Sequence, residues 1–217
     1  MTRPTPAPTD EDLAALARKG DSGAFEQIVE RYRRGLYLLF LRSTGNPEDS
    51  RDLCQDAFLR VWRGLRTYDS TRPLRPWIYR VAVNVARSQA RGRAVRPVLS
   101  SNDSTTISAP TSQRPDVELE AKEVQRRVRQ GVAALPDWQR EVLLLRVVQE
   151  LSYKEIGSAL DLPLGTVMSR LARARTALRR MLGHDDGAEE RPEDTTRGRV
   201  LPLDRPTTRR ASGEAKA

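Results

Sequence analysis

The sequence of 217 residues contains one Cys and one His, and aromatic residues make up 5% of it. A single Cys cannot close a disulfide within the chain, and one Cys with one His cannot complete a structural zinc site. No apolar run approaches the ~20 residues of a membrane-spanning helix, and residues 1–8 lack the apolar stretch of a secretory signal. No nucleophile–base pair or Gly-rich phosphate loop stands out. We therefore predict a cytoplasmic protein, not an enzyme, with no cofactor, no metal and no membrane insertion.

Positive charge is plentiful and unevenly placed. Lys and Arg outnumber Asp and Glu by 38 to 29, which gives a formal net charge of +9. Residues 13–91 carry 15 Lys and Arg against 8 Asp and Glu, and residues 122–182 carry 12 against 6. The same two blocks hold most of the large apolar residues. This distribution predicts two small basic domains, with nucleic acid as the first candidate partner.

The remaining segments are polar. Residues 92–117 are rich in Ser, Thr and Pro, and such a composition buries too little apolar surface to offset chain entropy. We predict an N-terminal extension at 1–12, a domain at 13–91, a flexible linker at 92–117, a second domain at 118–182 and a disordered tail at 183–217. His184 falls in that tail.

The first block has a helical pattern throughout. Thr9 begins a capped helix, a second helix spans about 22–43, Asn46 and Pro47 begin a third, and a fourth runs from about 73 to 90. The third helix is expected to bury a stripe consisting of Leu53, Cys54, Ala57, Phe58, Val61, Trp62 and Leu65. Its opposite face shows Asp52, Gln55 and Asp56. Four helices around one core indicate an all-α domain.

Residues 68–80 mix aromatic and basic side chains. Aromatic faces stack on unpaired bases and Arg binds phosphates, so this segment could bind single-stranded DNA. Alternatively, Trp77 and Tyr79 are simply core residues of the helical domain. Residue chemistry alone favours the second interpretation.

The second block contains a helix-turn-helix pattern. Ser152 and Glu155 form a capping box, a turn at 161–165 contains Pro and Gly, and Thr166 begins the last helix. Burying its apolar stripe, Val167, Leu171, Ala174 and Leu178, turns Thr166, Ser169 and Arg173 outward, with Arg170 on the flank. Ser and Arg near the N-terminus of such a helix can read bases in the major groove. The alternative is an amphipathic helix pair with a solvated basic face.

Taken together, the chain resembles an extracytoplasmic-function (ECF) sigma factor. The similarity covers roughly residues 13–182 and is carried by DLCQDAFLRVWRGL and PWIYRVAVNVARSQARGR in the first block. In the second block it is carried by LSYKEIGSALDLPLGTVMSRLARARTALRRML. The order of both blocks, with a linker of this length between them, is specific to that family. The resemblance implies two small helical domains, the second a helix-turn-helix domain.

The resemblance also implies the partners and roles of individual residues. The partners are the clamp helices and flap of RNA polymerase core, and promoter DNA in double- and single-stranded form. An anti-sigma factor and nucleoid association while polymerase is bound are implied as well. The core-binding residues are Asp52, Gln55 and Asp56. The −10 DNA residues are Arg72, Leu74, Trp77, Arg80, Asn84 and Arg87. The −35 DNA residues are Thr166, Ser169, Arg170 and Arg173.

Three features depart from the family pattern. Met168 stands where family members often carry Lys or Arg, the loop at 70–75 lies next to two prolines, and the tail after Leu182 is long. Two other functions remain open on sequence grounds. One is a helix-turn-helix regulator that acts without polymerase. The other is a helical interaction adaptor whose basic charge only keeps it soluble.

Overall fold

The computed structural model describes residues 7–95 and 115–183, and it describes side chains over 7–92 and 122–183. These ranges are helical apart from turns, which confirms the predicted all-α class. The α-helices are α1 (Asp10–Arg18), α2 (Ser22–Thr44), α3 (Pro47–Gly64), α4 (Leu74–Val95), α5 (Pro115–Ala134), α6 (Asp137–Val147), α7 (Tyr153–Leu160) and α8 (Leu164–Met181). A 3-10 turn, Leu65–Thr67, follows α3.

Local side-chain chemistry sets the helix ends of the first half. Thr9 and Asp12 form a capping box at the start of α1, and the Asn46 carboxamide accepts from two amides at the start of α3. Pro47 occupies the first turn of α3, where no amide donor is needed. Gly45 ends α2 in the left-handed conformation at φ 72°, which residues with a Cβ seldom adopt. These ends agree with the sequence prediction to within a residue.

The helices of the first half bury one apolar core. The side chains that are fully buried there include Leu13, Ile28, Leu36, Phe40, Val61, Leu65 and Ile78. Helix α1 contributes Leu13, Ala14 and Ala17 to this core. The predicted N-terminal extension at 1–12 therefore includes the first turn of a helix that packs as part of the domain.

In the second half, α7 and α8 form the expected helix-turn-helix unit. The Ser152 hydroxyl and Glu155 carboxylate make the predicted capping box. Asp161 ends α7 in the left-handed region at φ 58°, a conformation that Asp tolerates better than most residues. Helix α8 begins at Leu164 instead of Thr166, because the carbonyl of Pro163 accepts from the amides of Thr166 and Val167.

The boundaries of the central segment differ from the prediction. Helix α4 continues to Val95 and α5 begins at Pro115, so both ends of the predicted 92–117 linker are helical. Four of the five residues at 90–94 are Ala or Arg, whose high helix propensity favours extension of α4 in spite of Gly92. The rest of that linker and residues 184–217 of the tail, including His184, lie outside the described residues.

The two halves pack against each other as one compact unit. Helix α4 lies on α7, and a single apolar cluster includes Ile78 and Val85 from the first half with Val142 and Ile156 from the second. No sequence pattern indicated this contact, because the two helices are separated by more than fifty residues and each has an ordinary apolar stripe.

Candidate nucleic-acid interface

Helix α8 presents a polar face near its N-terminus. Val167, Leu171 and Ala174 are buried, as the predicted stripe requires, while Ser169 and Arg173 are exposed. Thr166 is half-buried, and its carbonyl accepts from the Ser169 hydroxyl at 3.1 Å. The first turn of α8 contains no acidic residue. The arrangement places an exposed hydroxyl group and an exposed cation side by side, where they can meet an anionic, hydrogen-bonding surface.

Arg170 is held differently from Arg173. Its guanidinium carbon lies 5.6 Å from the centre of the Trp138 ring, in a cation–π contact with α6. The side chain is half-buried. Arg170 is therefore oriented by α6, whereas Arg173 extends into solvent.

The exposed face of α3 has the predicted composition. Asp52 and Gln55 are exposed, and Asp56 pairs with Arg60 at 2.9 Å one turn along the same helix. An ion pair with both side chains nearly half-exposed adds little stability, so the Asp56 carboxylate is available to a partner.

Leu59 and Trp62 extend this face. Their exposed fractions are 53% and 37%, and they follow Asp52 and Gln55 at helical spacing. The expectation that Trp62 belongs to the buried stripe was wrong in part. Its ring contacts Phe25, with centroids 4.8 Å apart, and more than a third of the residue stays exposed. Helical spacing alone could have placed Leu59 on the exposed face of α3. The same spacing assigned Trp62 to the buried stripe of that helix.

The residues expected at the −10 element divide into four groups, of which three differ in exposure and the fourth pairs with the second half. Arg72 and Asn84 are exposed. Trp77 is half-buried and lies against Tyr68, with ring centroids 4.9 Å apart. Leu74 is fully buried, so its side chain is part of the core and presents no surface to DNA in this structure. The first residue of α4 is drawn inward because that helix packs on the domain core along its whole apolar stripe.

Arg80 and Arg87 point to the other half of the chain. Arg80 donates to the carbonyl of Ser158 at 2.9 Å and lies 3.3 Å from Asp161. Arg87 donates from Nε and Nη2 to the two carboxylate oxygens of Glu141, at 2.6 and 2.5 Å. Two cations expected to face DNA thus contact acceptors of the second half.

The loop before α4 is fixed by hydrogen bonds within the first half. The Tyr68 hydroxyl donates to the Arg72 carbonyl, and Asp69 accepts from the amide and hydroxyl of Thr71 at 3.0 and 2.7 Å. These Thr71 bonds hold the pKa of Asp69 below its usual range. Desolvation, reinforced by Glu11 and other carboxylates nearby, raises the pKa of Tyr68 to about 12. At neutral pH the Asp69 carboxyl is therefore ionised and the Tyr68 phenol is protonated, so both groups can keep these hydrogen bonds.

Glu11 is a supporting residue that the sequence did not indicate. Its Oε1 accepts from the backbone amide of Leu74 at 3.1 Å, across 63 residues of sequence. The amide belongs to the first turn of α4, where helix donors lack partners within the helix. Helix α1 thereby caps the helix that carries the −10 candidates.

Over residues 7–95 and 115–183, no helix is long and apolar enough to cross a membrane. Within the same ranges, no group of His, Cys, Asp and Glu side chains could hold a metal ion.

Comparison with known proteins identifies the class and then the family. Residues 28–96 match the family model of Sigma-70 region 2, and residues 125–178 match that of Sigma-70 region 4. The chain is 32% identical over 172 residues to the ECF RNA polymerase sigma factor SigW of Bacillus subtilis (strain 168), covering 76% of this chain and 92% of the relative. It is 32% identical over 179 residues to the ECF RNA polymerase sigma-E factor of Escherichia coli (strain K12), covering 78% and 92%.

Solved structures agree. CnrH in complex with the cytosolic domain of CnrY matches with a TM-score of 0.62 and 30% identity, over 81% of this chain and 98% of that one. The sigma factor RpoE of Bartonella quintana, in complex with the anti-sigma factor NepR, shares the fold with a TM-score of 0.61 at 20% identity, over 74% and 98%. The chain belongs to the ECF sigma factors. Its function is promoter-specific initiation with RNA polymerase, not DNA binding without polymerase.

Proposed function

We propose that residues 13–91 bind RNA polymerase core and the −10 element, and that residues 118–182 bind the −35 element. The observation that carries this assignment is the outward face of α8, where Ser169 and Arg173 are exposed directly beside a buried apolar stripe. Family membership identifies RNA polymerase as the partner, and the exposed side chains identify the residues that can make contact.

The polymerase-binding surface is the exposed face of α3. Asp52, Gln55 and Asp56 offer carboxylate and amide groups, and Leu59 and Trp62 add apolar surface one and two turns further on. A polar rim beside exposed aliphatic and aromatic side chains is typical of a protein interface. We assign all five residues to the contact with the clamp helices of the core.

The −10 surface combines cations with one aromatic ring. Arg72, Arg80 and Arg87 supply positive charge for phosphates, Asn84 is an exposed hydrogen-bonding group, and the half-exposed Trp77 can stack on an unpaired base. Leu74 is left out of this surface, since its side chain is buried. Stacking and base capture hold the strands apart without hydrolysis.

The −35 surface is the N-terminal half of α8, with Thr166, Ser169, Arg170 and Arg173. Arg can bond guanine through two hydrogen bonds, and Ser can donate or accept. Each half alone has few contacts and depends strongly on salt. On polymerase the two halves are held at a fixed separation, so binding at one element raises the effective concentration at the other.

Further assignments follow from the family. The chain acts in the cytoplasm, associates with the nucleoid through polymerase, and has no catalytic activity of its own. Solved relatives are complexes with the anti-sigma factor NepR and with CnrY, and a protein inhibitor of this kind is the expected regulator here.

Run-off transcription tests the proposal. Purified bacterial core polymerase is combined with genomic fragments, with and without the full chain. Discrete new transcripts that share two upstream elements support the assignment. Core binding without transcripts, in the presence of the cognate promoter, contradicts the DNA-binding roles. Specific binding to duplex DNA without any core binding contradicts the role of the α3 face.

A further inference from the structure

Two apolar side chains flank the outward face of α8 near its N-terminus. Leu164, the first residue of the helix, is 45% exposed, and Met168 is half-buried one turn further on. Residues four apart lie on the same side of a helix, so the two side chains form one apolar edge. Met168 directly precedes the exposed Ser169. The apolar edge therefore lies beside the polar groups assigned above to the −35 element.

The other flank of this face has a different chemistry. Arg170 follows Met168 by two residues, which is about 200° around a helix. Its guanidinium carbon lies 5.6 Å from the centre of the Trp138 ring of α6. One flank thus carries a cation stacked on a neighbouring helix, and the flank of Leu164 carries hydrocarbon that is partly open to solvent.

The backbone beside the apolar edge is open to close approach. Gly165 is exposed, and nothing lies within 4 Å of the point where its Cβ would stand. It precedes Ser169 by four residues, which places it on the outward face of α8. The edge of a base pair can therefore come close to this bare turn, where Leu164 and Met168 border it.

Polar groups of α7 lie next to the apolar edge. Leu164 lines a shallow cleft between α7 and the start of α8, together with Lys154 and Ser158 of α7. Both α7 residues are exposed. Lys and Ser side chains can hold phosphates of the DNA backbone and so fix the register of a helix in the groove. Lys154 on the Leu164 side and Arg173 on the Ser169 side can hold the outward face of α8 against DNA.

Hydrocarbon on such a face favours one feature of DNA. In the major groove each base edge presents hydrogen-bond donors or acceptors, and thymine alone of the four bases adds a methyl group, on C5. Leu164 has no polar side-chain atom, and the Met168 thioether is at most a weak acceptor. The apolar edge therefore gains most where it covers that methyl group and removes it from water. The flexible Met side chain can adjust to its position.

We propose that Leu164 and Met168 read a thymine of the −35 element through its C5-methyl group. The inference rests on the −35 role proposed above for α8 and adds a base preference to it, for thymine over cytosine at one base pair. Ser169 and Arg173 supply hydrogen bonds, and the apolar edge supplies the methyl contact. Burial of one methyl group corresponds to about a three- to fivefold change in affinity.

Removal of single methyl groups tests this contact. The full chain, bound to core polymerase, first selects its preferred −35 element from a random duplex library. Each thymine of that element, on either strand, is then replaced by deoxyuridine, which lacks only the methyl group. Competition binding is expected to show a loss of about three- to fivefold at one thymine and smaller losses elsewhere. At that position, 5-methylcytosine is expected to bind more tightly than cytosine.

Three variants locate the contact on the protein. Met168→Ala and Leu164→Ala remove apolar surface from the edge. We expect the cost of deoxyuridine to vanish in Met168→Ala and to shrink in Leu164→Ala, because the methyl group has lost its partner. Met181→Ala is the matched control, since Met181 is also 45% exposed and ends the same helix. This control should keep the wild-type cost. Thermal unfolding verifies that each variant is folded.

Three results overturn the proposal. One is equal binding of thymine and deoxyuridine at every position. Another is a selected element without thymine on either strand. The third is a cost of deoxyuridine that is the same in the wild type, Leu164→Ala and Met168→Ala, since the methyl group then acts elsewhere or through the shape of the DNA.

Arg173→Ala separates this inference from the −35 role of α8. If that variant loses the selected preference while deoxyuridine costs the wild type nothing, α8 reads the −35 element without a methyl contact, and only this inference falls. If no sequence is enriched, or if Arg173→Ala, Leu164→Ala and Met168→Ala all keep full selectivity, the −35 role itself is contradicted, and the methyl contact with it.

Discussion

Arg87 on α4 and Glu141 on α6 form a two-pronged ion pair across 54 residues of sequence. The Glu141 side chain is 15% exposed and the Arg87 side chain 39%. The bonds to Glu141 raise the pKa of Arg87, against an opposing effect of desolvation. The raised pKa keeps the Arg87 guanidinium charged, and salt and competing phosphates are therefore expected to weaken its pair with Glu141.

The first prediction concerns the −35 contact. Replacing Arg173 by Ala removes an exposed cation from α8 and is expected to weaken binding to the cognate −35 element by about 1–3 kcal/mol. Binding is measured by competition between the cognate element and a scrambled one. Arg180→Ala is the control. Arg180 is an exposed cation in the last turn of α8, where we expect a phosphate contact, and losing such a contact weakens binding to both sequences alike. Retained preference in Arg173→Ala would rule out the base contact.

The second prediction concerns the α3 face. Asp56→Asn keeps the size of the side chain and removes its charge, so affinity for polymerase core is expected to fall while the melting temperature changes little. The lost ion pair with Arg60 is exposed and contributes at most about 0.5 kcal/mol. Glu30→Gln removes a similar pair, with Arg33 on α2, and serves as the control. Equal core affinities for both variants would refute the assignment.

The third prediction concerns the cap that α1 places on α4. Glu11→Ala removes the acceptor for the Leu74 amide and is expected to destabilise the domain by about 1 kcal/mol. Glu11→Gln keeps an acceptor oxygen and is expected to recover most of that loss. Thermal unfolding measures stability, and permanganate reactivity of promoter thymines measures strand opening. If the Ala and Gln variants behave alike, the hydrogen bond is not the reason for the effect.

The fourth prediction concerns Cys54. Partial burial raises the pKa of this thiol to about 11, so little thiolate is present at neutral pH. Alkylation by iodoacetamide is expected to be slow at pH 7 and to accelerate up to about pH 11. The unfolded thiol ionises near pH 9 and the folded one later, so this group lowers stability as pH rises between those values.

Comparison with Cys54→Ala isolates that contribution, since other groups titrate in the same range. The wild type is expected to lose more stability than the variant between pH 9 and pH 11. A rapid reaction at pH 7 would contradict burial as the dominant influence on this thiol.

The features predicted correctly are those fixed by neighbouring residues. The cap at Thr9, the start of α3 at Asn46 and Pro47, the capping box at Ser152 and the buried stripe of α8 each depend on side chains within a few positions of one another. The same periodicity was insufficient for Trp62. The edge of the buried face of a helix depends on which other helix packs against it, and that other helix is distant in sequence.

By itself, the sequence determined the helical class, the helix-turn-helix unit and the polar faces of α3 and α8, because caps, turns and helical spacing are local properties. Only the tertiary structure decided that Glu11 caps α4, that the Gly35 carbonyl accepts from the side-chain amide of Gln149, and that the arginines of α4 pair with the second half. These contacts join groups 54 to 114 residues apart. Their geometry follows from how the helices pack, and no local pattern encodes it.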